Sequence, residues 1–449
     1  MTTPTPTVPL VIGSDAAELL VPSAQPALAP LTLVRDEPAA RTSAHWFPII
    51  CSCLVLGAAG FAAPALTNSL SGRPVSDAAL SLSLGYRILA PICDILDTIS
   101  MFSLGQHIAF GITCVVAYTV WRFVRDREST SMFVCTRCEI AAAGRAVLAL
   151  MAVYLVGAMV PRPTARLTLA SPDEIAIDFH SHTRYSWDGW SSFSPDASRR
   201  WHQASGFNAA YITDHSTFAG AEEAALDNPA HAGDGTVMLS GIEVRDRGNH
   251  LVVLGTDARD WQSYTAGNLH ELTFKREVEG RGSARPVVLF TLPGNLKSES
   301  AMSVDAIELS DAAPRGLSQS DAQHEQISAM AGDQKKTLLA SSNNHGWANA
   351  SPAWSVMEIP NWRAMTPAEL DVAIRRRILR DGAGAVRVID RRPPASASLA
   401  GLGLTVPIAT WRMLITMSWA ERISWLIWTW IGFACLLTLR KFPRPQQSR

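Results

Sequence analysis

Two patterns of apolar residues alternate along the chain, and they predict two kinds of structure. Between residues 174 and 389 the apolar positions come in short, often β-branched runs at 174–179, 209–213, 237–244, 251–255, 286–291, 306–309, 337–341 and 385–389, the length and composition of strands. Helical signals lie between several of them. Ser194-Pro195 opens a segment that carries Trp201 and stops at Gly206, with Ser as the cap and Pro in the first turn. Thr366-Pro367-Ala368-Glu369 is a capping box leading into a helix with Leu370, Ile374 and Ile378 on one face and an end near Gly382. Short strands alternating with helices predict an α/β fold of parallel units, with closure into a barrel as one solution. In such barrels the working residues gather where the strands end.

The second pattern is the long unbroken apolar stretch. Residues 46–66 carry no charge, and about 20 apolar residues suffice for a helix to cross the hydrocarbon layer. Residues 102–121 are interrupted only by His107, residues 140–160 by Arg145 near their start, and 423–439 are dense in Trp, Ile and Leu, with Trp425, Trp428 and Trp430 suited to an interface. Four transmembrane helices are therefore predicted. Arg122, Arg125, Arg127 and Arg137 follow the second stretch, and Arg440, Lys441, Arg444 and Arg449 make 440–449 a basic tail. Positive residues favour the cytoplasmic side, so the region 161–395 is expected on the far face of an inner or plasma membrane, periplasmic or extracellular. Residues 396–422 are apolar with Arg412 in the middle. They read as an interfacial amphipathic segment, because a fifth span would put one Arg-rich segment on the wrong side, and a mid-helix Arg costs about 2.5 kcal/mol or more. If they did span, the domain would be cytoplasmic.

Composition changes this picture little. The 449 residues leave room for one large domain plus extras. A net charge of −1 and a pI near 6.8 give no electrostatic footprint for a nucleic-acid polymer, and a mean hydropathy of +0.10 fits a membrane protein. Residues 1–44, rich in Thr, Pro and Ala, read as a disordered tail. No apolar segment behind a basic start near Met1 suggests a cleaved signal peptide. All seven cysteines lie outside 161–395. Cys135 and Cys138 form a lone CxxC, and with no second pair nearby no zinc site is expected there.

Candidate chemistry concentrates at the ends of the short runs. DFHSHTRYSWDG, residues 178–189, packs His180, His182 and Asp188 directly after the first run. Histidines at i and i+2 on an extended segment point the same way and can reach one cation. YITDHST (211–217), GIEV (241–244), NHLVVLG (249–255) and SSNNHGW (341–347) follow, each setting a ligand-type residue beside a run. Every candidate except His250, at the head of its run, falls at or just past a run's end. Together these motifs resemble the PHP (polymerase and histidinol phosphatase) family of metal-dependent phosphoesterases, over roughly residues 174–390. The resemblance implies a distorted (β/α)7 barrel holding divalent metal, Mn²⁺, Zn²⁺ or Fe²⁺. It implies one site from His180, His182 and Glu243, a second from Asp188, His215 and His345, and a bridge from Glu243 toward His250. Asp188 or His215 would also pass protons.

Two positions depart from the family pattern. Leu292-Pro293 stands where the family has His-Pro, and Asn343 stands where it has a bridging Asp. An Asn carbonyl can coordinate but brings no charge, so one or two metals are expected. Asp214 reads as a partner that orients His215 or a neighbour. Trp187 beside Asp188 can stack on substrate, and Arg184 and Arg245 can grip phosphate bidentately or pair with carboxylates. His202, His231, His270 and His324 read as hydrogen-bonded core or surface residues. The expected function is membrane-anchored, metal-dependent hydrolysis of a small phosphorylated substrate. One alternative is a tethered metal- or ligand-binding sensor that has lost turnover. A further one is C–N hydrolysis by an amidohydrolase-type barrel, disfavoured because Lys275, Lys297, Lys335 and Lys336 do not end a strand run.

Overall fold

The computed structural model describes residues 46–126, 132–246, 249–259, 285–291, 304–391 and 398–441. The tail 1–44, His270, Lys275, Leu292 and Lys297 fall outside them, as do the side chains of Arg125, Arg127, Cys135, Arg137, Cys138, Arg440, Arg444 and Arg449.

The fold is mixed α/β around a curled sheet. Twelve strands are described: β1 (Thr67–Asn68), β2 (Ala78–Leu82), β3 (Ala165–Leu169), β4 (Glu174–Ser181), β5 (Ala209–Ile212), β6 (Val237–Asp246), β7 (Asn249–Leu254), β8 (Val287–Phe290), β9 (Ala306–Ser310), β10 (Thr337–Ala340), β11 (Ala353–Glu358) and β12 (Arg387–Asp390). Ten form one sheet in the order β1-β12-β11-β4-β5-β6-β7-β8-β9-β10, and β2 pairs with β3. From β4 to β10 the order in space is the order in the chain. The sheet curls until its far end returns to β4: Asn343 N–H donates to His180 O at 2.8 Å and His182 N–H to Asn344 O at 3.0 Å. Asp178 fastens the same closure, accepting from Ser342 N–H at 2.9 Å and pairing with His202 Nε2 at 2.8 Å.

The pairing is not parallel throughout. β4, β5 and β6 are parallel, as are β8, β9 and β10, but β7 is antiparallel to both neighbours. Only Arg247 and Gly248 separate β6 from β7, whereas a parallel crossover needs about a dozen residues, so the pair must be a hairpin. β11 was not foreseen as a strand; it pairs antiparallel with both β4 and β12.

The helices flanking the sheet form for local reasons. Helix Pro195–Ser205 is capped by Ser194 and ends at Gly206, whose φ of +91° suits a residue without Cβ. Helix Pro367–Asp381 starts with the Thr366/Glu369 capping box and buries Leu370, Ile374 and Ile378 against the main core, which also contains Ile175, Ile177, Tyr211, Val252 and Leu289.

Three helices are long and apolar enough to cross a membrane, over Leu104–Val124, Glu139–Gly157 and Trp419–Leu439. Residues 46–66, expected to supply a fourth, are helical over Trp46–Gly57 and continue as a 3-10 turn through Ala58–Phe61, short of the roughly 20 residues a span requires. Pro64 explains the stop, since proline pushes the residue before it out of the helical region. Of the segment 396–422, residues 398–418 hold two short helices, Leu399–Gly403 and Thr405–Thr416, and residues 419–422 begin the long helix Trp419–Lys441. Two of the long helices touch the domain at their ends, and the third meets the short helix Ala90–Ser100. Asn349 Nδ2 donates to Gly157 O at 3.0 Å, and Leu104 N–H to Ser318 Oγ at 3.4 Å. Trp425 Nε1 donates to Asp94 Oδ2 at 2.8 Å. Below this junction Asp97, fully buried, accepts from Arg162 at 3.0 Å, Arg391 at 2.9 Å and the Tyr86 hydroxyl at 3.1 Å.

Candidate metal centre

Four strand ends deliver the site. β4 ends in His180 and His182, which point to one side as the two-residue period requires, and their Nε2 atoms lie 3.0 Å apart. The loop after β5 brings His215, β6 brings Glu243, and the loop after β10 brings Asn343 and His345. β7 explains the outlier: because it runs backwards, its first residues lie beside the end of β6, with His250 opposite Arg245. The head of β7 therefore opens at the same mouth as the ends of its neighbours.

Glu243 is the hub. Its Oε2 lies 3.1 Å from His180 Nε2, 3.2 Å from His182 Nε2 and 3.3 Å from His215 Nδ1, while Oε1 is 2.5 Å from His250 Nδ1. Asp188 bridges the other side, 3.4 Å from His215 Nε2 and 3.1 Å from His345 Nδ1. Three groups have ligand atoms close enough for one ion: His180, His182 and Glu243; His182, His215 and His345; and His215, Glu243 and His250.

The donor set fits a divalent cation. Two imidazole nitrogens and a carboxylate oxygen facing one another at about 3 Å need a positive charge between them. Asp188 Oδ1 and His345 Nδ1, though 3.1 Å apart, form no hydrogen bond with each other or with any other described residue. Burial drives His182 well below the usual histidine range, and burial with the neighbouring His180 and His215 takes His345 down to about 4 despite Asp188. Both imidazoles are therefore neutral lone-pair donors, the form that ligates metal. Burial opposes charge on His180, but Glu243 and Glu308 outweigh it and raise that group well above its ordinary value. Burial would likewise raise Glu243, yet His180 first, with His182 and His250, holds it far below the carboxylate range. The pocket thus favours positive charge at its centre.

The supporting contacts differ in part from expectation. Asp214 does not reach the His215 ring; its carboxylate accepts Thr183 N–H and Oγ–H, each at 2.7 Å, and so fixes the turn after His182. Burial pushes it up to about 6. Arg184 is exposed and spends its guanidinium on Glu223 at 3.0 Å, and Arg245 Nε donates to His250 Nε2 at 3.2 Å. Arg184 thus pairs with a carboxylate, whereas Arg245 touches the ligand cluster at His250. Trp187 is exposed, its ring 5.7 Å from that of His215. Asn343 turns its Oδ1 to His345 Nε2 at 3.0 Å and donates from Nδ2 to Asp311 Oδ2 at 2.9 Å. Its φ of +42° is a left-handed conformation that Asn tolerates better than most residues. His202 and His324 are hydrogen-bonded and buried, and His231 lies at the surface 3.6 Å from Asp234.

Glu308, Asp311 and Ser186 were missed. Glu308, on β9, accepts from His180 Nδ1 at 3.2 Å, and Ser186 Oγ lies 2.9 Å from His182 Nδ1. Each fixes which ring nitrogen faces the centre. A glutamate at position 308 inside an apolar run was the available signal, since an unpaired charge is not buried in a strand.

No family model and no curated protein matches the chain. Among solved structures, PsfC from Pseudomonas syringae PB-5123 is 15% identical with a TM-score of 0.35, covering 53% of this chain and 97% of that one. A two-domain protein containing a predicted PHP-like metal-dependent phosphoesterase, from Bacteroides vulgatus ATCC 8482, is 13% identical with a TM-score of 0.29, covering 45% of this chain and 63% of that one. The lesion-specific endonuclease PfuEndoQ from Pyrococcus furiosus is 17% identical with a TM-score of 0.32, covering 47% of this chain and 57% of that one. Similarity this remote does not by itself carry a function.

Proposed function

We propose that the chain is a membrane-anchored, metal-dependent hydrolase of phosphate esters, built on a distorted (β/α)7 barrel formed by β4 to β10. The observation that carries this is the meeting of five imidazoles and two carboxylates from six separate chain segments at one mouth. His180, His182 and Glu243 would hold one cation, and Asp188, His215 and His345 a second, with Glu243 shared and His250 at its outer oxygen. Nitrogen-rich sets of this kind suit Zn²⁺, Mn²⁺ or Fe²⁺ better than Mg²⁺. A bound divalent ion supplies Lewis acidity and hydroxide at neutral pH. The chain's own part is to orient and to move protons. Glu308 and Ser186 set the tautomers of His180 and His182, Asp214 anchors the turn that follows them, and Asp188, partly exposed between two imidazoles, would take a proton from water or return one to the leaving oxygen.

The three apolar helices support anchoring, and the arginines between the second and third stretches and in the tail support a domain outside the cytoplasm. Lys335 and Lys336 precede β10, at the opposite end of that strand from the ligands, which speaks against the amidohydrolase reading. Asn343 in place of a carboxylate favours the sensor as the second reading. Full-length protein loaded with Mn²⁺ is expected to hydrolyse an aryl phosphate or an aryl phosphodiester, and His180→Ala to abolish it. Metal binding without hydrolysis of either would leave the sensor.

A further inference from the structure

The loop after β10, which carries His345, lies against the apolar helices. His345 stacks on Trp347 at 4.5 Å between ring centroids, and Trp347 lines a cavity of about 220 Å³. The wall also includes Ile99 and Ser100, Leu317 after β9, His107 of the long helix Leu104–Asp126, and Val153 and Tyr154 of the long helix Met132–Met159. One aromatic ring therefore separates a ligand of the metal centre from an apolar space bounded by membrane-type helices. Asn349, three residues beyond the stacked pair's midpoint in the same loop, is tied to Gly157 at the helix end. Trp347 Nε1 is buried without a hydrogen-bond partner among the described residues.

We propose that the substrate is an amphiphile taken from the membrane, a phosphate ester whose phosphate meets the metal centre and whose apolar chain occupies this cavity. The inference rests on the hydrolase reading above and adds its substrate class. Water adds its oxygen to phosphorus, the P–O bond to the lipid alcohol breaks, and the proton lost by water ends on the departing alkoxide, so that lipid alcohol and phosphate leave. A water-soluble phosphate ester has no use for an apolar wall at this position, whereas a lipid chain would otherwise have to cross water between the bilayer and the metals. The position of the cavity, between the apolar helices and the Trp347 ring that stacks on His345, is what selects the membrane lipid as occupant.

The test uses the full chain in phosphatidylcholine nanodiscs with Mn²⁺, and compares dodecyl phosphate with butyl phosphate. Burying about four extra methylenes is worth roughly a hundredfold, so kcat/KM for the dodecyl ester is expected to exceed that for the butyl ester by about that factor. Part of such a preference comes from partition into the disc, and cavity-filling variants separate the two. Ser100→Phe and Val153→Phe are each expected to lower the dodecyl-to-butyl ratio at least tenfold, a ratio that cancels any loss of active protein. Equal rates on the two esters, or a ratio unchanged in both variants, would overturn the substrate class while leaving the hydrolase intact. Hydrolysis of neither ester by metal-loaded protein would remove the hydrolase reading, and the lipid substrate with it.

Discussion

Residues that hold other residues in place decide whether the candidate centre is competent. Asp214 grips Thr183 through two short hydrogen bonds, and Gly220 lies so close above them that a Cβ would collide with the Asp214 carboxylate and the Thr183 hydroxyl. Gly220→Ala is expected to cost about 1–3 kcal/mol by overpacking and to weaken metal binding, because the turn it displaces carries His182. Thermal unfolding and metal titration of the purified variant check both, and a variant that binds metal like the parent would detach Asp214 from the site. Asn343 poses a different question. Asn343→Asp keeps the backbone conformation and the acceptor toward His345 but replaces the donor facing Asp311 with an acceptor. The expected result is no additional metal equivalent and a loss of about 1–3 kcal/mol from the broken hydrogen bond. Gain of a full equivalent would mean that the amide is a defect in a two-metal site.

At the level of elements, what could be read in advance was whatever rests on local spacing. His180, His182, His215 and His345 were legible because each ends or follows a run, and Ser194, Gly206 and the Thr366 capping box mark helix ends by short-range chemistry. What depends on neighbours in space was not. β11 contains Ser355 and follows Ser351-Pro352, so it lacks an apolar run, yet the adjacent β4 and β12 make it a central strand. Glu308 is a hydrogen-bond partner of His180 across 128 positions of sequence. The Asp97 cluster is also long-range, joining Arg162 and Arg391 at the junction of helices and domain. Removing that carboxylate leaves two buried or half-buried guanidinium groups without their acceptor, and Asp97→Ala is expected to lower stability by about 3–5 kcal/mol. A shift below about 1 kcal/mol in detergent-solubilised protein would show that the helices and domain are held together otherwise.

For the whole molecule, a buried polar layer joins a curled α/β sheet to apolar helices, and that layer gives a pH signature outside the metal centre. Burial, reinforced by Glu421, raises Asp94 to about 8, although Trp425 and Tyr86 donate to it. Between its ordinary value near 4 and about 8, the folded protein keeps a proton that the unfolded chain has released. The contribution of Asp94 to stability is therefore full below pH 4, falls as the pH rises through this window, and levels off above about 8. Asp94→Asn is expected to flatten that slope in thermal midpoints measured from pH 5 to 8. The central claim is tested most directly by metal content. Full-length protein purified without chelator and analysed by inductively coupled plasma mass spectrometry is expected to carry one or two equivalents of Zn, Mn or Fe, and His180→Ala/His182→Ala to carry less than a tenth of that. Metal-free protein that takes up none of the three ions on titration, or a double variant that keeps its full complement, would contradict it.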